Sequence, residues 1–456
     1  MTKYLSSVHT LDGATVYMAN AGDRDVLVCE GKAYFGGQDG TNQYELTHEV
    51  ANTLRKLFPF TAPKPVLGYD RSIGLGDRLG IASYGHIRLM KQYDIMPVFA
   101  QQSIRELDLT GRTYEDVLDA ASFAVFREDF TRGFGADGDH LKKPEDIEYA
   151  LSLGFSMLTL DLSEHIHADA SGVYSQDVDA LYANKVFLVE DNEITFTPNE
   201  LKRIKGIYGE ALDFAVEMYE RFLKDGKYTC DLEISIDETD TPTKPSEHYF
   251  VASELQRRGV NVATIAPRFI GEFQKGIDYI GDPRQFDAEM KVHAAIARKF
   301  GHKVSVHSGS DKLSVFPSVG AQTKQRYHVK TAGTNWLEAM RIVAMRAPGM
   351  YREIHAFALS VFDEARKYYH VTTNIHAIPD IAKLTDAQLP ELFNDNNSRQ
   401  LIHITYGLIL QAKDANGQSR FKTRLYSFWR EHSEEYAQAL EKHIGRHLEK
   451  LGCPKA

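Results

Sequence analysis

His140, His307 and His328 each fall where a short apolar run gives way to ionisable residues, and Asp137, Asp139, Asp161, Glu164, Asp237, Glu238 and Glu272 occupy equivalent places. Imidazole and carboxylate together suit Zn²⁺, Mn²⁺, Co²⁺, Ni²⁺ or Fe²⁺, whereas an all-oxygen cage would suggest Mg²⁺ or Ca²⁺. A bound divalent cation could polarise a carbonyl, and a carboxylate beside it could move a proton. No HExxH pair puts two ligands on one element. His165 and His167 do form an HxH, but past the end of their run. The ligands must therefore come from separate strands. Lys142, Arg268, Lys275, Lys312 and Lys330 add positive charge to the same places, which suits an anionic small substrate. The plainer reading of each cation is a partner for one of the carboxylates, and of a single histidine a hydrogen-bonded core residue.

Something must gather these residues. The runs Phe134-Gly-Ala-Asp137, Met157-Leu-Thr-Leu-Asp161, Leu232-Glu-Ile-Ser-Ile-Asp237, Val304-Ser-Val-His307 and Tyr327-His-Val-Lys330 are apolar until charge arrives, and helical stretches follow them. A (β/α)8 barrel has this form: strand bodies fill a packed interior and the C-terminal rim opens into an active site. Alternation of strands with helices predicts parallel strands joined by right-handed crossovers. Because neighbours on a strand face opposite ways, only one residue of Asp139-His140 or Asp237-Glu238 should face the axis unless the strand has ended.

The pattern divides the chain into a small N-terminal α/β cap over 1–65, a barrel over 66–345 and a helical region over 346–456. Residues 168–197 are too long and polar for an ordinary loop and read as an insertion, a lid or an oligomer contact. In the cap, Gly36-Gly-Gln-Asp-Gly40 marks a turn. Gly74-Leu-Gly-Asp-Arg-Leu-Gly80 carries glycines but is GxGxxxG, and it reads as lying before the apolar Leu79–Ala82 run, so it is a weak nucleotide signal.

Composition excludes more than it selects. The 456 residues carry a formal charge of -10 with no basic block, which argues against a nucleic-acid partner. Three widely spaced cysteines form no CxxC pair, and neither a signal peptide nor a transmembrane run is evident. A cytoplasmic protein with a small anionic sugar as partner, no membrane, and room for a homo-oligomer is the expectation.

The segments Gly76-Asp-Arg-Leu-Gly80, Phe99-Ala-Gln-Gln-Ser103, Gly133-Phe-Gly-Ala-Asp137 with Asp139-His140, Asp237-Glu-Thr239, Arg268-Phe-Ile-Gly-Glu272, His307-Ser-Gly-Ser-Asp-Lys312 and His328-Val-Lys-Thr-Ala-Gly333 are specific together. Through them, nearly end to end, the chain resembles the tagaturonate/fructuronate epimerases, metal-dependent enzymes of hexuronate catabolism. The resemblance implies interconversion of D-tagaturonate and D-fructuronate with a divalent metal. These sugars differ at a hydroxyl-bearing carbon that is not α to the ketone, so simple enolisation cannot invert it. With no dinucleotide fingerprint present, metal-assisted retro-aldol cleavage and re-addition is favoured over transient oxidation. Guided by the resemblance, the metal is assigned to His140, His307 and His328, the base to Asp139, the opposing acid/base to Glu238, and the carboxylate seat to Arg268 and Lys312. The insertion at 168–197 would keep the fragments from escaping. The rival readings are a metal-dependent aldolase that releases its fragments and a non-catalytic sugar-acid-binding barrel.

Overall fold

A computed structural model of the protein describes residues 1–36 and 42–456; the Gly37–Gly40 part of the expected turn lies outside the described residues. Eight parallel strands close into a barrel: β1 (Arg71–Leu75), β2 (Met96–Ser103), β3 (Gly135–Leu141), β4 (Met157–Asp161), β5 (Asp231–Ile236), β6 (Thr264–Pro267), β7 (Lys303–Val306) and β8 (Tyr327–Thr331). Closure is made by β8 against β1, with Tyr327 beside Arg71 and Thr331 beside Leu75. The (β/α)8 expectation holds.

Period-two alternation sends Ile73, Leu75, Ile234, Ile236, Val304, Val306, Tyr327 and Val329 into one large apolar core with the helices outside the barrel. The inward positions are different from the apolar filling expected. Met96, Val98 and Met157 form an apolar floor. Above it lie Ser72, Lys303 and His328, then Asp137, Thr159, Glu233 and Lys330, all buried. Such an interior is tolerable because most of its polar atoms find partners, His328 Nε2 being left without one: Lys303 Nζ donates to Ser72 Oγ (2.7 Å) and to the Tyr69 carbonyl (2.8 Å).

The first strand also differs from the expectation. Gly74 is inside β1 and Gly76 follows it, while Leu79–Ala82 leads into the helix Ser83–Met90. A Cβ on Gly74 would lie 1.7 Å from Gln101 Oε1, so the glycine admits the β2 side chain into the barrel rather than cradling a phosphate.

Five short strands between Thr2 and Tyr44 form a small antiparallel sheet whose core, Val16, Met18 and Leu27, packs with Val50 and Leu54 of the helix His48–Leu57 and with Phe123 and Phe126 of the helix Tyr114–Arg127. The helix Thr334–Arg346 completes the barrel, yet its Trp336 and Met340 share a second core with Tyr351, Ile402 and Trp429 of the C-terminal helices. The barrel and the helical region therefore meet through a common apolar seam. Among the described residues, no helix is long and apolar enough to cross a membrane.

The segment 168–197 holds a helical turn, Asp179–Tyr182, and a hairpin, Val186–Val189 with Asn192–Thr195. It lies along the outside of the barrel. Tyr182 Oη donates to Glu254 Oε1 (2.6 Å), Gly172 N–H donates to the Gly206 carbonyl (2.9 Å), and Glu190 pairs with Arg298 near the end of the helix Pro283–Phe300 (2.6 Å). None of its residues lines the cavity at the rim. The lid reading is not supported, because the insertion's polar groups are spent on the outer helices.

Candidate active site at the barrel mouth

A cavity of about 390 Å³ opens at the C-terminal end of the strands and is lined by Asp139, His140, Asp161, Glu164, Asp237, Glu238, His307 and Lys330 among others. Its floor is an ionic hub. Lys330 Nζ, on β8, lies 2.7 Å from Asp137 and 2.6 Å from Asp139 of β3, and 2.8 Å from Glu233 of β5. Thr159 Oγ1 sits among them, 3.0 Å from Asp137 Oδ1 and 3.1 Å from Glu233 Oε1. Burial would lower the Lys330 ammonium's affinity for its proton, but the surrounding carboxylates hold it well above the ordinary lysine range. Burial likewise works against ionised Asp139 and Glu233, and Lys330 overrides it, keeping both well below the usual carboxylate range.

Above the hub, β3 departs from regular pairing. The register with β4 slips between Gly138 and Leu141, and His140 adopts φ +56°. A bulge of this kind re-aims side chains, and a left-handed non-glycine residue beside a cavity is a mark of function. Both Asp139 and His140 consequently line the cavity, although strand alternation would have separated them. Asp237 and Glu238 both reach it for a simpler reason: β5 ends at Ile236. His307 is the first residue after β7.

Donor atoms of His140, Asp237 and His307 lie within 4.8 Å of one another. The ring of His307 is oriented by Glu233, whose Oε1 is 2.7 Å from Nε2. That bond leaves Nδ1 buried without a hydrogen-bond partner, 3.1 Å from Asp237 Oδ2. His140 is oriented likewise, with Nδ1 2.8 Å from Asp139 Oδ1, leaving Nε2 for the cavity. A carboxylate behind each histidine and a carboxylate between them is the arrangement that fixes tautomers at metal sites. The donor set fits a divalent transition metal or zinc. Asp161 and Glu238 form a further group with His140 at the same spacing. In the bare protein burial opposes the charged ring of His307, but Asp237 and Glu233 push its pKa up to about 10, as expected of a place built for positive charge.

His328, expected as the third ligand, is not brought to this point. It is the second residue of β8 rather than its end, so it sits within the barrel, with Nδ1 2.9 Å from Ser72 Oγ. Burial, with Lys303 and Lys330 nearby, lowers its pKa to about 3. Asp237 occupies the place in the donor group that His328 was expected to fill.

Lys312 is also elsewhere. Its buried Nζ donates to the carbonyls of Gln274 (2.8 Å), Ile277 (2.6 Å) and Ser310 (3.0 Å), and it does not line the cavity. Arg268 lines a neighbouring chamber of about 340 Å³ that shares Asp237, Glu238, Lys275 and His307 with the first. Asp139, expected as the base, is occupied by Lys330 and His140. Glu238 is exposed on the wall and makes no ion pair or hydrogen bond among the described residues. Glu233 and His403 were missed. Glu233 lies inside an apolar run, and His403 comes from the helix Asn396–Ile404, far from any strand signal.

A second cluster of similar composition, Asp311, His443 and His447, is built differently. Asp311 pairs with Arg399 Nη2 at 2.5 Å, its backbone N–H donates to His447 Nε2 (2.8 Å), and His447 Nδ1 donates to the His443 carbonyl (2.8 Å). Its donors are consumed, and the cluster fastens the helix Ser433–Lys450 to the loop after His307.

Comparison with known proteins agrees with this architecture. A family model described as tagaturonate epimerase matches residues 4–451. A tagaturonate/fructuronate epimerase of Thermotoga maritima is 41% identical over 472 residues, covering 98% of this chain and 96% of the relative. Crystal structures of the fructuronate-tagaturonate epimerase UxaE from Cohnella laeviribosi are 49% identical and cover 99% of this chain and 96% of theirs. Their TM-scores are 0.96 for a glycerol complex and 0.95 for the native form.

Proposed function

The chain belongs to the tagaturonate epimerase family, and we propose that it interconverts D-tagaturonate and D-fructuronate by retro-aldol cleavage and re-addition at a divalent metal held by His140, Asp237 and His307. The observation that carries the metal is the convergence of those donor atoms at the barrel mouth, each histidine backed by a carboxylate.

When bound, the metal supplies Lewis-acid polarisation of the substrate ketone. Glu238, free of partners on the cavity wall, takes the proton from the hydroxyl on the carbon β to that ketone. The bond between the α and β carbons breaks, its electron pair passes into an enediolate at the ketone end, and the β carbon becomes an aldehyde. The fragment turns, the α carbon adds to the other aldehyde face, and the alkoxide that forms, now on the opposite side, takes its proton from the cavity wall there rather than from Glu238. Asp139 serves by orienting His140 and holding Lys330, and the fixed charge of Lys330 favours the developing enediolate.

The three free cysteines suit a reducing cytoplasm. The test is an NMR time course on D-fructuronate with chelator-stripped protein, with and without Mn²⁺, Zn²⁺, Co²⁺ or Ni²⁺. Growth of tagaturonate signals only with metal is expected. Epimerisation at full rate without metal overturns the metal, and accumulation of three-carbon fragments makes the enzyme an aldolase.

A further inference from the structure

The substrate proposed above is a carboxylate, and most cations around the barrel mouth already have partners. Lys330 is held by three carboxylates, Lys142 lies 3.5 Å from Asp161 and donates to Ser163 Oγ (2.8 Å), and Lys312 is spent on backbone carbonyls. Arg78 is paired through Nε (2.8 Å) and Nη2 (2.5 Å) with Oε1 of Glu106. The cavity-lining cations without a carboxylate partner among the described residues are Lys275, which is half-buried, and Arg105 and Lys143, which are exposed.

Arg105 and Lys275 line both chambers; burial works most against the Lys275 ammonium, Glu106 favours it, and Arg78 and Arg105 oppose it. Neither makes an ion pair with a carboxylate among the described residues, which leaves both free to meet an anionic ligand. Both are held in place. The Arg105 guanidinium lies 5.1 Å over the Tyr369 ring, and Lys275 Nζ donates to Ser308 Oγ (3.1 Å). The backbone around Lys275 is pinned by Lys312 to the Gln274 and Ile277 carbonyls, by Gln400 to the Lys275 carbonyl (3.2 Å) and by Arg399 to the Gly276 carbonyl (2.7 Å). The same end of the cavity carries His403, 1% exposed, with Nδ1 buried and unpartnered. Burial and the surrounding cations keep that ring neutral, so it can only donate or accept a hydrogen bond.

We propose that Arg105 and Lys275, with His403 as the end wall, seat the carboxylate of the hexuronate. This rests on the uronate reading of the site. The seat also answers how the aldehyde fragment is retained: it is the carboxylate-bearing half, and it can turn about an anchored end while the ketone end stays at His140, Asp237 and His307. Lys312 then becomes a positioning residue that holds the loop carrying Lys275.

The test compares Arg105→Ala and Lys275→Met with the wild-type holoenzyme on D-fructuronate, following KM, kcat and released three-carbon fragments by NMR. The loss of one charge-assisted contact corresponds to a rise in KM of roughly 10- to 100-fold, with a smaller change in kcat, more fragment release, and substantial recovery in Arg105→Lys. Metal content and thermal unfolding, measured in parallel, separate this from general damage. An active wild type whose variants keep their KM, or lose kcat with KM unmoved, overturns the seat. A wild type that does not epimerise fructuronate overturns the uronate reading and the seat with it. An active enzyme that releases no fragments even in the variants retains the seat if KM rises, and removes only the retro-aldol route.

Discussion

Glu233 Oε1 accepts a hydrogen bond from His307 Nε2 at 2.7 Å, from a position inside β5 to one just past β7. The contact decides which ring nitrogen of His307 is left to face Asp237, so a residue that never touches substrate selects the donor atom offered to a metal.

Removing the donor itself should be decisive. His307→Ala is expected to lose bound metal and turnover together, measured by elemental analysis and the fructuronate assay. Glu233→Gln should weaken metal affinity by roughly 10- to 100-fold while leaving a site that excess metal refills. A fully active His307→Ala would sink the site.

Among the described residues, Lys330 is the one ammonium paired with Asp137, Asp139 and Glu233, within 2.8 Å of each. Lys330→Met leaves buried carboxylates uncompensated, and breaking a buried ion pair this way costs about 3–5 kcal/mol. Urea unfolding should show that loss at neutral pH and much less of it at acid pH, where the carboxylates are protonated. Equal midpoints for wild type and variant at neutral pH would contradict the hub.

The insertion offers a separation of stability from turnover. A Cβ on Gly206 would meet the Ala170 carbonyl oxygen at 2.2 Å, backbone that cannot easily move aside. Gly206→Ala should therefore destabilise by about 1–3 kcal/mol, as overpacking does. With no residue of the insertion in the cavity wall, kcat/KM should change little. A large fall in kcat with unfolding unchanged would restore the lid.

Acid should unfold the protein partly through His248, which is hydrogen-bonded to His293 (2.9 Å) and His302 (3.0 Å) between the outer helices and β7. Burial lowers the pKa of His248 well below its ordinary value, of His293 to about 4 and of His302 to about 3. The unfolded chain takes up protons below about pH 6.5 that the folded one refuses. Stability is therefore intact above that pH and lost as pH falls toward 4 to 3, His293 and His302 each contributing on the order of 3 kcal/mol across the window. Thermal scans between pH 4 and 7 should show the slope, and His293→Asn should flatten it; an identical slope would assign acid sensitivity elsewhere.

What the sequence reveals depends on how local the signal is. Strand bodies ending in charge make the barrel legible, and His140, His307, Asp237 and Glu238 are recognisable as rim residues because each follows an apolar run. His328 is misplaced because a shift of two positions along β8 carries a side chain from the rim into the interior, and Tyr327–Thr331 has no turn residue inside it to mark the difference. Lys275 and Lys312 look alike in sequence, each beside a rim segment; only the carbonyls around Lys312 tell them apart. Glu233 breaks an apolar run without any visible excuse, and an acid there is itself the signal of a buried network. His403 sits among helical residues with no periodic anomaly, so its approach to the cavity depends wholly on tertiary packing.

The helix Ser433–Lys450 clasps Asp311 through His443 and His447, next to the loop that follows His307. During synthesis every barrel strand leaves the ribosome before that helix does. A nascent chain can pair all its strands while the loop beside His307 still lacks its clasp, so the rim is set only after every barrel strand is available. Because Tyr436, Leu440, Ile444 and Leu448 of that helix are also buried in the two apolar cores, a chain cut within it would lose core packing together with the clasp.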